Sequence, residues 1–180
     1  MIKIPPAETV ILADGDFPCH SVPLEILRNA RRIICCDGAV SSLLSEGLEP
    51  FSIVGDCDSV GPDIAVRYAD RLYRIAEQET NDLTKSVKWC VERGFNDLAI
   101  LGGTGKREDH TLGNISLLAD YSVSASVSMV TDHGIFRAVS ESCRFLSVPG
   151  QQVSVFSLDP GTAITSEGLK FPLKSMKLTS

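Results

Sequence analysis

Five short runs, several of them almost wholly apolar, at residues 10–13, 33–36, 53–55, 72–75 and 98–101, are spaced along the chain with amphipathic stretches between them. A half-exposed strand alternates polar and apolar residues, whereas a continuous apolar run of this length reads as a strand covered on both faces. The intervening segments carry helical spacing. Leu24 and Leu27 mark one helix, Val40, Leu43 and Leu44 the next, and Leu83, Val87, Cys90 and Val91 a third. Gly47 and Gly94 follow the second and third as C-terminal stops. Strand–helix alternation of this kind predicts an α/β fold with a mostly parallel sheet flanked by helices.

The pattern changes near Tyr121. Val123, Ala125 and Val127 alternate with serines, and Val153 and Val155 alternate with Gln152 and Ser154, so both stretches are predicted as strands. Asp159-Pro160-Gly161 is a turn signal. No helix is predicted after Ile135. The expected organisation is a Rossmann-like α/β domain over 1–131 and a small antiparallel β domain over 132–180, with the boundary near 131–134.

Composition excludes several classes. The chain has 180 residues, 43% apolar and 22% charged, as in ordinary soluble globular proteins. A net charge of −6 argues against a non-specific nucleic-acid binder, whose affinity comes from contacts to phosphate. No segment is apolar enough to span a bilayer, and residues 1–8 hold no apolar signal core, so a cytoplasmic protein is expected. The six cysteines (Cys19, Cys35, Cys36, Cys57, Cys90, Cys143) form no C-x-x-C pair and read as free thiols.

In an open parallel sheet, ligands gather beyond the carboxyl ends of the strands. Three predicted strand ends carry chemistry there: Asp37-Gly38-Ala39, Asp56-Cys57-Asp58-Ser59, and the run Gly102-Gly103-Thr104-Gly105-Lys106-Arg107-Glu108-Asp109-His110. Asp56 and Asp58, one residue apart, repel each other unless a cation neutralises them, and Mg2+ uses one or two carboxylates plus substrate phosphates. A solvated acidic turn is the plainer alternative for D-x-D alone. Asp82 and Lys85 share one face of a predicted helix, opposite its apolar side, although an acid in the first turn also suits the helix dipole. The glycines at 102–105, with Lys106 and Arg107 beside them and a helix following, offer N–H groups and positive charge to an anion. This run is neither a Walker A loop nor a dinucleotide fingerprint. Taken singly, Asp109 reads equally as a helix cap and His110 as a structural histidine.

Together, the blocks Asp37-Gly38-Ala39, Gly55-Asp56-Cys57-Asp58-Ser59, Thr80-Asn81-Asp82-Leu83-Thr84-Lys85 and Gly102 through His110, Thr111, Leu112, Gly113 and Asn114 closely resemble the thiamine pyrophosphokinase family, in order and in spacing. The resemblance extends into the later strands through Pro149-Gly150. It implies transfer of pyrophosphate from ATP, the co-substrate, to the hydroxyethyl arm of thiamine, giving thiamine diphosphate and AMP. It also implies a homodimer with thiamine bound near domains of two subunits. Two departures stand out: Gly38-Ala39 replaces the family's glycine pair, and family members usually continue through further strands of the β domain.

On that resemblance, Mg2+ is assigned to Asp56 and Asp58, with Asp37 and Asp82 as further ligands or as supports for them. Lys85 and Arg107 neutralise the phosphates, and Asp109 orients Arg107 or the waters of the metal. Gly38, Gly102, Gly103, Thr104, Gly105, His110 and Asn114 complete the expected nucleotide contacts. The rival readings are a metal-dependent phosphohydrolase that uses the same acids on water, and a nucleotide-binding module without catalysis.

Overall fold

The computed structural model describes residues 7–178; the first and last residues of the two expected domains lie outside that range. The chain divides into two compact units, one running to Ser142 and one from Cys143 onward.

The first unit is built on a seven-stranded sheet. Its strands are β1 (Thr9–Leu12), β2 (Arg32–Cys36), β3 (Ser52–Gly55), β4 (Leu72–Arg74), β5 (Asp97–Leu101), β6 (Ser126–Val130) and β7 (Ile135–Phe136), in the order β4-β3-β2-β1-β5-β6-β7. Every pairing is parallel except β6 with β7. Helices α1 (Ser21–Asn29), α2 (Ala39–Ser45), α3 (Pro62–Arg67), α4 (Asp82–Glu92) and α5 (Glu108–Tyr121) lie between them. The five runs are therefore strands, as predicted; burial gives the reason for four of them, while β4, at the sheet edge, has no buried residue. All four residues of β1 are buried, and Val10 faces Ile33 on one side and Ala99 on the other. The chain steps outward from β1 through β2 and β3 to β4, then returns to place β5 on β1's other flank. The strand order thus reverses between β1 and β5, which is where such sheets open a crevice.

Local chemistry sets the helix ends. His20 Nδ1 accepts from Val22 N at 3.2 Å before α1, and Asn81 Oδ1 accepts from Thr84 N at 2.9 Å before α4. Leu83, Val87, Trp89 and Cys90 pack α4 onto the sheet. Helix α3 lies outside the sequence-based reading because it buries none of its residues, so it carries no apolar stripe; Pro62 at its start was the signal available.

Two predicted strands need correction. The alternating stretch that begins at Val123 starts as a turn: Ser124 N and Ala125 N donate to the Tyr121 carbonyl at 3.0 Å, and Val123 is 86% exposed. Those N–H groups close the end of α5 and are lost to the sheet, so β6 begins only at Ser126. In the second unit no strand forms over 152–155, and Val153 and Val155 are exposed. Alternation specifies an apolar face, but a strand also needs a partner to receive its backbone groups. The pairing that does form is antiparallel, between β8 (Ala163–Ile164) and β9 (Met176–Lys177). The turn at 159–162 is as expected, with Asp159 Oδ1 accepting from Gly161 N at 2.8 Å. No helix follows Tyr121 among the described residues.

Candidate active site

A cavity of about 390 Å³ opens at the carboxyl ends of β1, β2, β3 and β5. One wall is acidic. Asp37, Asp56 and Asp58 each bring a carboxylate oxygen within 4.8 Å of the others. Asp37 follows β2, is only 5% exposed, and adopts φ 37°, a left-handed conformation that Asp tolerates better than most residues. Its Oδ2 accepts from Ser59 N at 3.3 Å, while its buried Oδ1 has no partner among the described residues. Burial, reinforced by the neighbouring Asp82 and Asp56 carboxylates, pushes the Asp37 carboxyl up to about 6 despite the Ser59 N–H. Asp56 lies on the opposite side of its ordinary value. Hydrogen bonds from Asp58 N at 3.2 Å and Gln78 Nε2 at 3.3 Å hold its carboxyl down.

Asp82 stands beside this trio across Gly55, whose missing Cβ would meet both Asp37 Cβ and Asp82 Cγ. Asp82 accepts from Lys85 Nζ at 3.0 Å. Lys85 is 3% exposed, which rules out a solvated surface lysine. Burial works against its ammonium, yet the Asp82 hydrogen bond and the Asp82, Asp56 and Glu77 carboxylates more than compensate and raise its pKa.

The facing wall is the loop after β5. Gly102, Gly103, Gly105, Lys106 and Arg107 line the cavity, as do His110 and Asn114 of α5. Arg107 holds Asp109 with two hydrogen bonds, at 3.1 and 2.5 Å, and draws that carboxyl down to about 2. Asp109 therefore faces Arg107 rather than the cavity. Thr104 also stays out of the lining and turns its carbonyl to Asp16 N at 2.9 Å. Of the predicted residues, Asp37, Gly38, Asp56, Asp82, Lys85, Gly102, Gly103, Gly105, Arg107, His110 and Asn114 meet at one cavity, with Asp58 joined to it through the acidic trio.

Sequence reasoning passed over the end of β1, Asp14-Gly15-Asp16, although the strand-end rule applies there equally. Asp14 lines the cavity and pairs with Lys106 at 2.9 Å. Main-chain hydrogen bonds join the two loops directly: Ala13 N to Leu101 O at 2.8 Å, Gly15 N to Gly102 O at 2.8 Å, and Asp16 N to Thr104 O at 2.9 Å. Asp132, beyond β6, anchors the same β1 loop by accepting from Cys19 N at 3.0 Å and His20 N at 2.9 Å. A Cβ on Gly15 would run into the carbonyl oxygens of Gly102 and Thr104, which are backbone and cannot rotate away. Gly15→Ala is expected to lower stability by about 1–3 kcal/mol, read as an earlier urea midpoint; an unchanged midpoint would show that the seam can open without cost.

Comparison with known proteins gives a consistent result. Residues 24–142 match the model of the thiamin pyrophosphokinase catalytic domain, and residues 134–179 that of the thiamin pyrophosphokinase substrate-binding domain. Thiamin pyrophosphokinase 1 of Caenorhabditis elegans is 29% identical over 188 residues, covering 96% of this chain and 77% of that protein. Thiamine pyrophosphokinase of Bacillus subtilis is 36% identical over 87 residues, covering 46% of this chain and 40% of that protein. Among solved structures, a probable thiamine pyrophosphokinase from Staphylococcus saprophyticus superposes with a TM-score of 0.55 at 23% identity, over 69% of this chain and 65% of that one. The Candida albicans thiamin pyrophosphokinase gives 0.52 at 22%, over 68% and 58%. The chain therefore spans just under two-thirds of the solved relatives it matches.

Proposed function

Since the chain belongs to the thiamin pyrophosphokinase family, we propose that it transfers the pyrophosphoryl group of ATP to the hydroxyethyl oxygen of thiamine, giving thiamine diphosphate and AMP. The observation that carries this reading is one cavity with clustered carboxylates on one wall and a buried lysine, an arginine and a glycine loop around the rest. Transfer of this kind relies on positioning and charge neutralisation more than on covalent chemistry.

The residues fit a divalent cation. Three carboxylate oxygens lie within 4.8 Å, and one of their owners is buried with an oxygen that has no partner among the described residues. Asp37, Asp56 and Asp58 would hold Mg2+, with Asp82 beside them. The ion would supply charge neutralisation for the polyphosphate. Lys85, already oriented by Asp82, binds anionic oxygens from beneath. Arg107, held rigid by Asp109, does so from the loop, and the N–H groups around 102–105 cradle phosphate. A carboxylate of the cluster takes the proton of the attacking hydroxyl as the bond to the β-phosphorus forms and AMP departs.

Exposed apolar residues of the second unit, among them Leu146, Phe156 and Phe171, support a homodimer, which light scattering would detect as twice the chain mass. The cysteines are all free, which supports a reducing cytoplasm, and no helix among the described residues is long and apolar enough to cross a membrane.

The deciding assay supplies ATP, Mg2+ and thiamine and measures AMP and thiamine diphosphate, expected in equal amounts. Phosphate released without thiamine would replace the proposal with a hydrolase. Bound ATP with no AMP would leave only a binding module.

A further inference from the structure

Asn81, Asn114 and the Gly103 carbonyl form a chain of hydrogen bonds across the cavity's back wall. Asn81 Oδ1 accepts from Thr84 N at 2.9 Å, at the start of α4. That bond leaves Asn81 Nδ2 to donate to Asn114 Oδ1 at 3.1 Å, which leaves Asn114 Nδ2 to donate to Gly103 O at 2.9 Å. A backbone donor at one end and a backbone acceptor at the other thus dictate the orientation of both amides, since each has one acceptor and one donor end. Asn114 is 8% exposed, and both ends of its amide are engaged within the protein. Asn114 also lines the cavity, and the second N–H of its amide stays available to a ligand there.

We propose that Asn81 and Asn114 are positioning residues, forming an amide relay that keeps the glycine loop after β5 in register with the helix bearing Asp82 and Lys85. The inference rests on the reading above for what those two walls do. A polyphosphate gripped from both walls needs their separation fixed, because a misplacement of about 1 Å costs a reaction about 10²-fold. Without the relay, α4 and the loop after β5 lose this direct side-chain tie.

The test separates positioning from folding. Asn81→Ser keeps an oxygen to cap α4 but removes the amide Nδ2 that reaches Asn114 Oδ1. Asn114→Asp keeps the acceptor and sets a carboxylate oxygen against the Gly103 carbonyl. Each is expected to lower kcat about 10–100-fold, as loss of a supporting hydrogen bond does, with the ATP KM changed much less and Asn81→Ser melting a few degrees lower but fully folded at the assay temperature. Because both act through one relay, the double variant should lose no more than the worse single one. Full turnover in Asn81→Ser, or losses that multiply in the double variant, would overturn the proposal. If the wild type makes no thiamine diphosphate, the functional reading fails by itself. The relay is then judged by hydrogen exchange: faster exchange of the 103–106 amides in Asn81→Ser supports it, and unchanged exchange refutes it.

Discussion

Replacing Asp37 with asparagine is expected to make the metal-free protein more stable and the enzyme nearly inactive. Asp37 is buried among carboxylates with one oxygen unpartnered among the described residues, and its carboxyl is pushed up to about 6. The folded protein therefore binds this proton more tightly than the unfolded chain does. Stability from this group is present at low pH and is lost as pH rises through about 6. At neutral pH the buried charge is a standing cost. Asparagine removes it, tolerates the left-handed backbone, and can donate to the neighbouring acids. Allowing for partial solvation, the gain should be about 1–2 kcal/mol, seen as a melting temperature higher by a few degrees without Mg2+. Turnover should fall by about 10³-fold, the scale of a weakened metal clamp. A variant that melts lower than the wild type, or that keeps a rate within a few-fold of it, would remove Asp37 from the role given to it.

Lys85→Met is expected to produce a comparable loss by the opposite route. Lys85 is the cation sealed beneath the cavity, 3% exposed, with Asp82 3.0 Å from its Nζ. Methionine fills a similar volume without charge. The rate should drop by about 10²–10³-fold or more, as when a preorganised donor to developing charge is removed. Stability of the metal-free protein should fall by about 1–3 kcal/mol, because Asp82 loses its hydrogen bond from Lys85 although it keeps partial access to solvent. Steady-state kinetics with saturating Mg2+ would check this. An unaltered kcat would make Lys85 a structural partner of Asp82 and nothing more.

The parts of the fold that could be read from the sequence were those whose burial is complete. The runs that became β1, β2, β3 and β5 are apolar because they are buried, whereas β4 at the sheet edge leaves Tyr73 and Arg74 exposed, and α4 displays its stripe because Leu83, Val87 and Cys90 meet the sheet. Helix α3 buries no residue and so leaves no such trace. The serine–valine alternation after Tyr121 misled for a related reason: Val123 points to solvent at the end of a helix, and hydrophobicity alone does not reveal where a backbone N–H is spent. The site followed the same division. Acids and glycines at three strand ends were legible because the topology brings strand ends together. Asp14 and Asp16 followed the same rule, but their run lacked the company of a recognisable block and lies before the region matched by the catalytic-domain model. Gln78 carried no signal, since an amide in a loop reveals its role only by whose carboxylate it meets, here Asp56.

The seam between β1 and β5 has one further consequence. It is stitched by peptide groups, from Ala13–Leu101 to Asp16–Thr104, so its width does not depend on the side chains around it as long as position 15 stays glycine. Changes in the shape of the cavity are therefore expected to come from side chains that line it away from the seam, such as Gln78 and Thr80.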